Sequence, residues 1–302
     1  WVPKTYGGLE MSLTEGLIKL RSFAKSDGSL GWTVTLCSGA NFFIGNLQKE
    51  VADEIFNNPE RPVCFGGSGG VFGTAEIAGD GYIISGVWKY ATGAPYLTHF
   101  TLNAKIQKAG KDVLQEEGTP AVRSFLLEKD AVELIQDWNT MGLKATATES
   151  FKVSSQWVHN KYSFIYNELH QPHAIFKIPF SIFADLTLWA NYIGMARHFL
   201  EESQMICSES PEMDRFKALV NKIDALMMDF AIKIQGVIEK NHQIPDAISE
   251  EIHTESSAAI RSLSEGIVKL YPALGIEASK IDHPLNRVFR DYFTATQHHN
   301  FR

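Results

Sequence analysis

Two stretches of this chain gather side chains that packing alone does not call for. The first is "VWKYATGA", residues 87–94, set between the alternating runs "YIISGVW" and "PYLTHF". Turn residues between strands are normally small and polar. A turn needs no Trp88, Tyr90 and Thr92 together; an aromatic-lined platform with a hydroxyl does. The second is "TQHHNF", residues 296–301. It closes a segment in which Leu285, Val288, Phe289, Tyr292 and Thr296 share one helical stripe. Continuing that stripe reaches His299, with His298 beside it. Imidazole titrates near neutrality, so a histidine at the inner end of a helix is a candidate for moving a proton. A buried, hydrogen-bonded structural histidine is the equal alternative.

The elements that must position these groups fall into a clear order. Residues 10–25 carry Leu13, Leu17, Leu20, Phe23 and Ala24 at helical spacing, and "SDGS" stops them. "SLGWTVTLCSGANFFIG" and "LQKEVADEIFNN" read as two further helices. From about 61 to 160, glycines punctuate alternating β-branched and aromatic runs, the pattern of a small barrel or sandwich. Beyond about 165 the pattern is helical. Ser210 and Pro211 form a helix start. The stripe Met213, Phe216, Val220, Ile223, Met227, Phe230, Ile234, Val237 reads as core or subunit interface. Helices at 174–206, from 210, from 245 and from 283 make a bundle of four. The expected fold is therefore α+β and multidomain: an N-terminal helical domain (1–60), a β domain (61–161) and a C-terminal bundle (162–302). The opening "WVPKTYGGLE" reads as a loop, so the first domain is expected to be incomplete.

Other features are read as structural. "GGSGG" (66–70) lacks the lysine of a phosphate loop and reads as a flexible turn. Glu250 and Glu251 read as a solvated face. The histidines form no H-x-x-x-H or H-E-x-x-H, so no metal site is expected. The net charge of −7 and the lack of a basic cluster exclude a nucleic-acid groove. Cys37, Cys64 and Cys207 are scattered, which fits a reducing cytoplasm better than a disulfide framework. Asp185, Asn191 and Arg197 interrupt the most apolar long segment, 180–200, so no membrane span is expected.

Four segments in this order resemble the acyl-CoA dehydrogenase superfamily: "VPKTYGGLE", "GDGYIISGVWKYATGA", "MGLKATATESFKVSSQWV" and "PLNRVFRDYFTATQHHNF". The likeness spans nearly the whole chain and implies that family's helical, β and four-helix-bundle arrangement. The chain departs from the dehydrogenases at two points. "FGGSGGVFGTAEIAGDG" stands where they carry T-E-P-x-A-G-S-D. His299 occupies the place of their catalytic glutamate after "R-D", and only Asp185 is acidic near the alternative place. Both departures resemble the branch of flavin-dependent monooxygenases similar to the oxygenase component of 4-hydroxyphenylacetate hydroxylase and to dibenzothiophene monooxygenase.

The resemblance implies a reduced flavin, FMN or FAD, delivered by a separate flavin reductase, and a small, aromatic substrate. It implies a flavin site made by Phe65, Gly66, Trp88, Tyr90, Ala91, Thr92, Gly93, Thr146 and Thr148. Trp88 and Tyr90 would shape its wall and Thr92 would offer its hydroxyl near the flavin N5, keeping reducing equivalents from escaping as hydrogen peroxide. His298 or His299 would handle the substrate proton. Family spacing favours His298 and the helical stripe favours His299. The bundle stripes of this family imply a homotetramer. An acyl-CoA dehydrogenase activity and a flavin-free scaffold, the latter left open by the expected missing N-terminal helices and by Lys144 where the family often has arginine, are the alternatives.

Overall fold

The computed structural model describes residues 1–58, 62–207 and 210–301. The helices in chain order are α1 (Leu13–Ser26), α2 (Gly28–Asn41), α3 (Lys49–Phe56), α4 (Phe180–Ile206), α5 (Pro211–Glu239), α6 (Asp246–Leu270) and α7 (Pro284–Ala295). The strands are β1 (Phe65–Ala78), β2 (Gly81–Ala91), β3 (His99–Lys108), β4 (Lys111–Asp112), β5 (Val122–Glu128), β6 (Glu133–Ile135), β7 (Glu149–His159) and β8 (Ser163–Phe164). They fold into two compact units, the first of residues 1–10, 36–138 and 147–177, the second of residues 11–35, 139–146 and 178–302.

In the first unit all eight strands join one sheet, ordered β6-β7-β2-β1-β3-β5-β8, with β4 on β3. Only β1 and β3 run parallel. The expected β module is thus present as one hydrogen-bonded sheet. β1 and β2 meet in a tight hairpin, Ala78 opposite Gly81, with Gly79 at φ +62° supplying the left-handed turn. Trp88 lies fully buried at the centre of the sheet's core. Its indole stacks on Phe151 (5.7 Å between centroids, 13° between planes) and donates to the Asn103 carbonyl at 2.8 Å.

The glycines make room for this packing. Gly73 and Gly86 are cross-strand partners, and a Cβ on them would lie 2.3 Å and 2.8 Å from the indole. "GGSGG", expected as a turn, is instead part of β1, with irregular register between Ser68 and Gly73. A Cβ on Gly67 would sit 1.8 Å from the Thr101 carbonyl oxygen on the neighbouring strand. The glycines therefore answer to close backbone approach, and Ser68 ties the bulge by donating to the Lys89 carbonyl at 2.8 Å.

In the second unit α4 is the central helix, packed against α1, α5, α6 and α7. It is apolar nearly all round, as a helix enclosed on every side must be. Gly194 lets α1 approach closely, since a Cβ there would lie 2.5 Å from the Arg21 carbonyl oxygen. Asp224 of α5 joins Arg21 of α1 and Arg197 of α4, so one carboxylate ties three helices. Ser12 and Glu15 form a capping box at the start of α1, and the Ser210 hydroxyl caps α5. The expected boundaries at 60 and 161 follow chain order; by contacts, α1 belongs with the bundle and residues 162–177 with the sheet. Among the described residues, no helix is long and apolar enough to cross a membrane.

Candidate functional site

The sheet unit carries one group of the residues singled out above. β2 ends at Ala91, and the chain turns through Thr92 and Gly93 into a short 3-10 turn, Ala94–Tyr96. Gly93 has φ +72°, a conformation that favours glycine. The turn is fixed by the Ala94 N–H donating to the Ala147 carbonyl at 3.2 Å. Thr92 is 6% exposed. The Thr148 hydroxyl donates to Thr92 Oγ1 at 3.1 Å. No acceptor is recorded among the described residues for the Thr92 proton, which leaves it able to donate to a bound group. Tyr90 is half-exposed, its ring edge-on to Trp138 at 5.5 Å.

Trp88 and Phe65 behave differently from Tyr90. Trp88 is enclosed by the sheet core, and Phe65 is buried against Phe56 (5.3 Å) and His99 (5.2 Å). Gly66 backs onto Leu97, where a Cβ would lie 2.6 Å from the leucine. These three set the shape of the strands that present the loop. The sequence reading missed a thiol pair next to the loop. Cys37 Sγ donates to the Thr92 carbonyl at 3.6 Å. A hydrogen bond from Cys37 draws the Cys64 thiol down to about 7, while the same bond and burial push Cys37 up. The scattered spacing of these cysteines carried no signal that they would meet.

The bundle unit carries the other group. Thr146 is buried, its hydroxyl donating to the Leu143 carbonyl at 2.8 Å. Its loop is pinned by the "R-D" pair of α7. Asp291 accepts the Leu143 N–H at 2.6 Å, and Arg290 donates to the carbonyls of Met141 (3.3 Å) and Ile281 (3.0 Å). Burial raises the Asp291 carboxyl above its ordinary range, partly offset by the Leu143 N–H.

Helix α7 stops at Ala295 and residues 299–301 form a 3-10 turn, so the expected helical stripe does not run on to His299. His299 is exposed and His298 is partly buried. The His298 ring sits edge-on to Trp32 of α2 at 5.5 Å and 4.5 Å from the His299 ring. Burial, with a smaller effect from His299, lowers His298 to about 4. It is therefore neutral near pH 7. The Asn300 N–H donates to His298 Nδ1 at 3.4 Å, which puts the imidazole proton on Nε2. Asp185 of α4, 4% exposed, meets Asn300 and His253 rather than standing free. Desolvation raises its carboxyl, and these two partners act the other way.

Residues 215–302 match the family of acyl-CoA dehydrogenase C-terminal domains. The chain is 25% identical to an indole-3-acetate monooxygenase of Acinetobacter baumannii, over 98% of this chain and 79% of that protein. It is 20% identical to a flavin-dependent monooxygenase oxygenase subunit, HsaA, of Rhodococcus jostii, over 98% of this chain and 80% of that one. Among solved structures it superposes on XiaF from Streptomyces, determined with FADH2 and glycerol, at a TM-score of 0.90. That match has 18% identity and covers all of this chain and 81% of the other. The chain thus carries the acyl-CoA dehydrogenase type of fold, and the resemblance read from its four motifs is borne out.

Proposed function

We propose that this protein is the oxygenase component of a two-component flavin-dependent monooxygenase, which uses reduced flavin and oxygen to oxygenate a small aromatic substrate. The observation that carries the reading is the Thr92 hydroxyl, held by Thr148 with its own proton unspent, beside the half-exposed Tyr90 ring. This donor set fits a flavin, which presents a flat ring and an acceptor nitrogen. Tyr90, Ala91, Thr92 and Gly93, with Thr148, would hold it. Phe65, Gly66 and Trp88 would support the strands behind. The flavin supplies the redox chemistry, activating oxygen for insertion into the substrate.

This chain's own residues do the rest. Thr92 donates a hydrogen bond that orients the ring. The neutral His298 offers its Nε2–H to an oxygen atom of the reacting partners. An N–H donor aimed at developing negative charge favours the transition state over the ground state. A lowered basicity keeps the ring neutral, so that it serves as a hydrogen-bond donor and does not give up its proton. The acyl-CoA dehydrogenase alternative lacks a free carboxylate at the two places where that family's base stands, since Asp185 is engaged on both oxygens.

Relatives named as oxygenase subunits or components support a separate flavin reductase as electron source; a homotetrameric assembly in the cytoplasm is part of the same proposal. Indole-3-acetate, the substrate in the name of one relative, is a reasonable first probe. The test supplies photoreduced FMN or FAD and oxygen with that probe and scores oxygenated product against free peroxide. Oxygenated product establishes the reading. Failure to bind either flavin, read by fluorescence titration, refutes it and returns the scaffold alternative.

A further inference from the structure

The least expected group in the bundle unit is Asp185. It is a carboxylate buried in the first half of the long apolar helix α4, 4% exposed, with no lysine or arginine against it among the described residues. Burying a carboxylate is unfavourable unless hydrogen bonds replace the lost water. Two partners do so. Asn300 Nδ2 donates to Oδ1 at 2.5 Å, and His253 Nδ1 lies 3.1 Å from Oδ2. They come from two separate later elements: α6 supplies His253, and the C-terminal 3-10 turn supplies Asn300.

The same turn is held a second way. Phe301 lies against His253 (6.2 Å, 22° between planes) and against Tyr192 of α4 (6.0 Å). Two of the three residues of the turn are therefore anchored, and the third, His299, is exposed. What the anchoring fixes is the peptide N–H of Asn300, which donates to His298 Nδ1. A short 3-10 turn beyond a helix end frays unless tertiary contacts hold it. Asp185 supplies the polar contact.

We infer that Asp185 is the positioning residue for His298: its carboxylate grips Asn300, and the gripped Asn300 backbone holds the His298 imidazole in its Nε2–H form. His253 completes the grip as the second donor to the carboxylate. The inference rests on the reading of His298 as the donor in the reaction, but its first readout does not depend on turnover. With Asn300 as donor both Asp185 oxygens accept, which an amide with one acceptor oxygen cannot match unless residue 300 becomes the acceptor.

The experiment compares Asp185→Ala, Asn300→Ala and the exchanged pair Asp185→Asn with Asn300→Asp in the full chain. Thermal melting checks that each folds, and Asn300→Ala, at a surface turn, serves if Asp185→Ala does not. The first readout is the imidazole nitrogen NMR signature of His298, which distinguishes the Nε2–H form from a mixture of tautomers. Wild type gives the Nε2–H form, the two alanine variants give a mixture, and the exchanged pair returns toward wild type because the amide now donates to a carboxylate at 300. The second readout is product formed from indole-3-acetate per flavin oxidised. It falls about tenfold in the alanine variants, the worth of one hydrogen bond to a charged group, with KM little changed. An unaltered His298 signature in folded alanine variants overturns the inference. A changed signature in the alanine variants, beside a wild-type protein that oxygenates nothing, supports the grip and counts against the monooxygenase reading.

Discussion

Replacing Thr92 by valine keeps the side chain's branched shape and removes the hydroxyl that the proposed reading depends on. Thr92 is 6% exposed, so water does not readily substitute for the lost group. Two effects separate. Thr148 loses the acceptor it has at 3.1 Å, which costs about 1 kcal/mol of folding stability. The hydrogen bond to flavin is lost as well, worth about 1–3 kcal/mol and so about 5- to 150-fold in a rate. If that bond holds back the unproductive route, the valine variant releases more of its oxidising equivalents as hydrogen peroxide by a factor in that range. Thr92→Ser, which keeps the hydroxyl, stays near wild type. The assay follows oxygen consumption with photoreduced flavin and resolves product from peroxide with catalase, alongside flavin affinity by fluorescence. A valine variant with wild-type flavin affinity and wild-type peroxide release would show that Thr92 is only part of a turn.

Other outcomes follow from the same geometry. His298→Ala lowers product formation about 10²-fold or more while flavin oxidation continues, and the exposed His299→Ala changes little; equal rates in all three proteins end the imidazole role. Because the fold lowers His298 to about 4 from an ordinary value of about 6.5, its neutral form contributes stability that is fully present above about pH 6.5 and is lost as pH falls toward 4. The loss of urea resistance between pH 7.5 and 5 is therefore smaller in His298→Gln than in wild type, and an unchanged loss refutes the assignment; Asp185 and Asp291, raised by burial, act with the opposite sign in both proteins. Gly73→Ala drives a Cβ into the Trp88 indole and destabilises by about 1–3 kcal/mol, seen as a lower urea midpoint. Cys64, drawn down to about 7, is alkylated near neutral pH well before Cys37, as peptide mapping after a brief iodoacetamide pulse would reveal.

The sequence by itself determined the order of elements and the type of fold. Periodicity marks α1, α4, α5 and α6 because an amphipathic or fully apolar stripe is a local property of the chain. Ser210 before Pro211 announces a helix start for the same reason, and the side-chain cap is there. The end of β2 and the turn after it were legible because Tyr90 and Thr92 are costly choices between strands. Where residues from distant parts of the chain must meet, only the tertiary structure decided. "GGSGG" reads as a turn until the Thr101 carbonyl and the Leu97 side chain are seen to occupy the space a Cβ on Gly67 or Gly66 would fill. The stripe pointing to His299 assumed a helix that tertiary contacts end at Ala295. Asp185 reads as one acid in an apolar run. Its partners, 68 residues away at His253 and 115 away at Asn300, become its neighbours only when α6 and the final turn pack on α4. A buried carboxylate takes its role from the donors that replace its water, and no spacing in a linear chain records which donors those are.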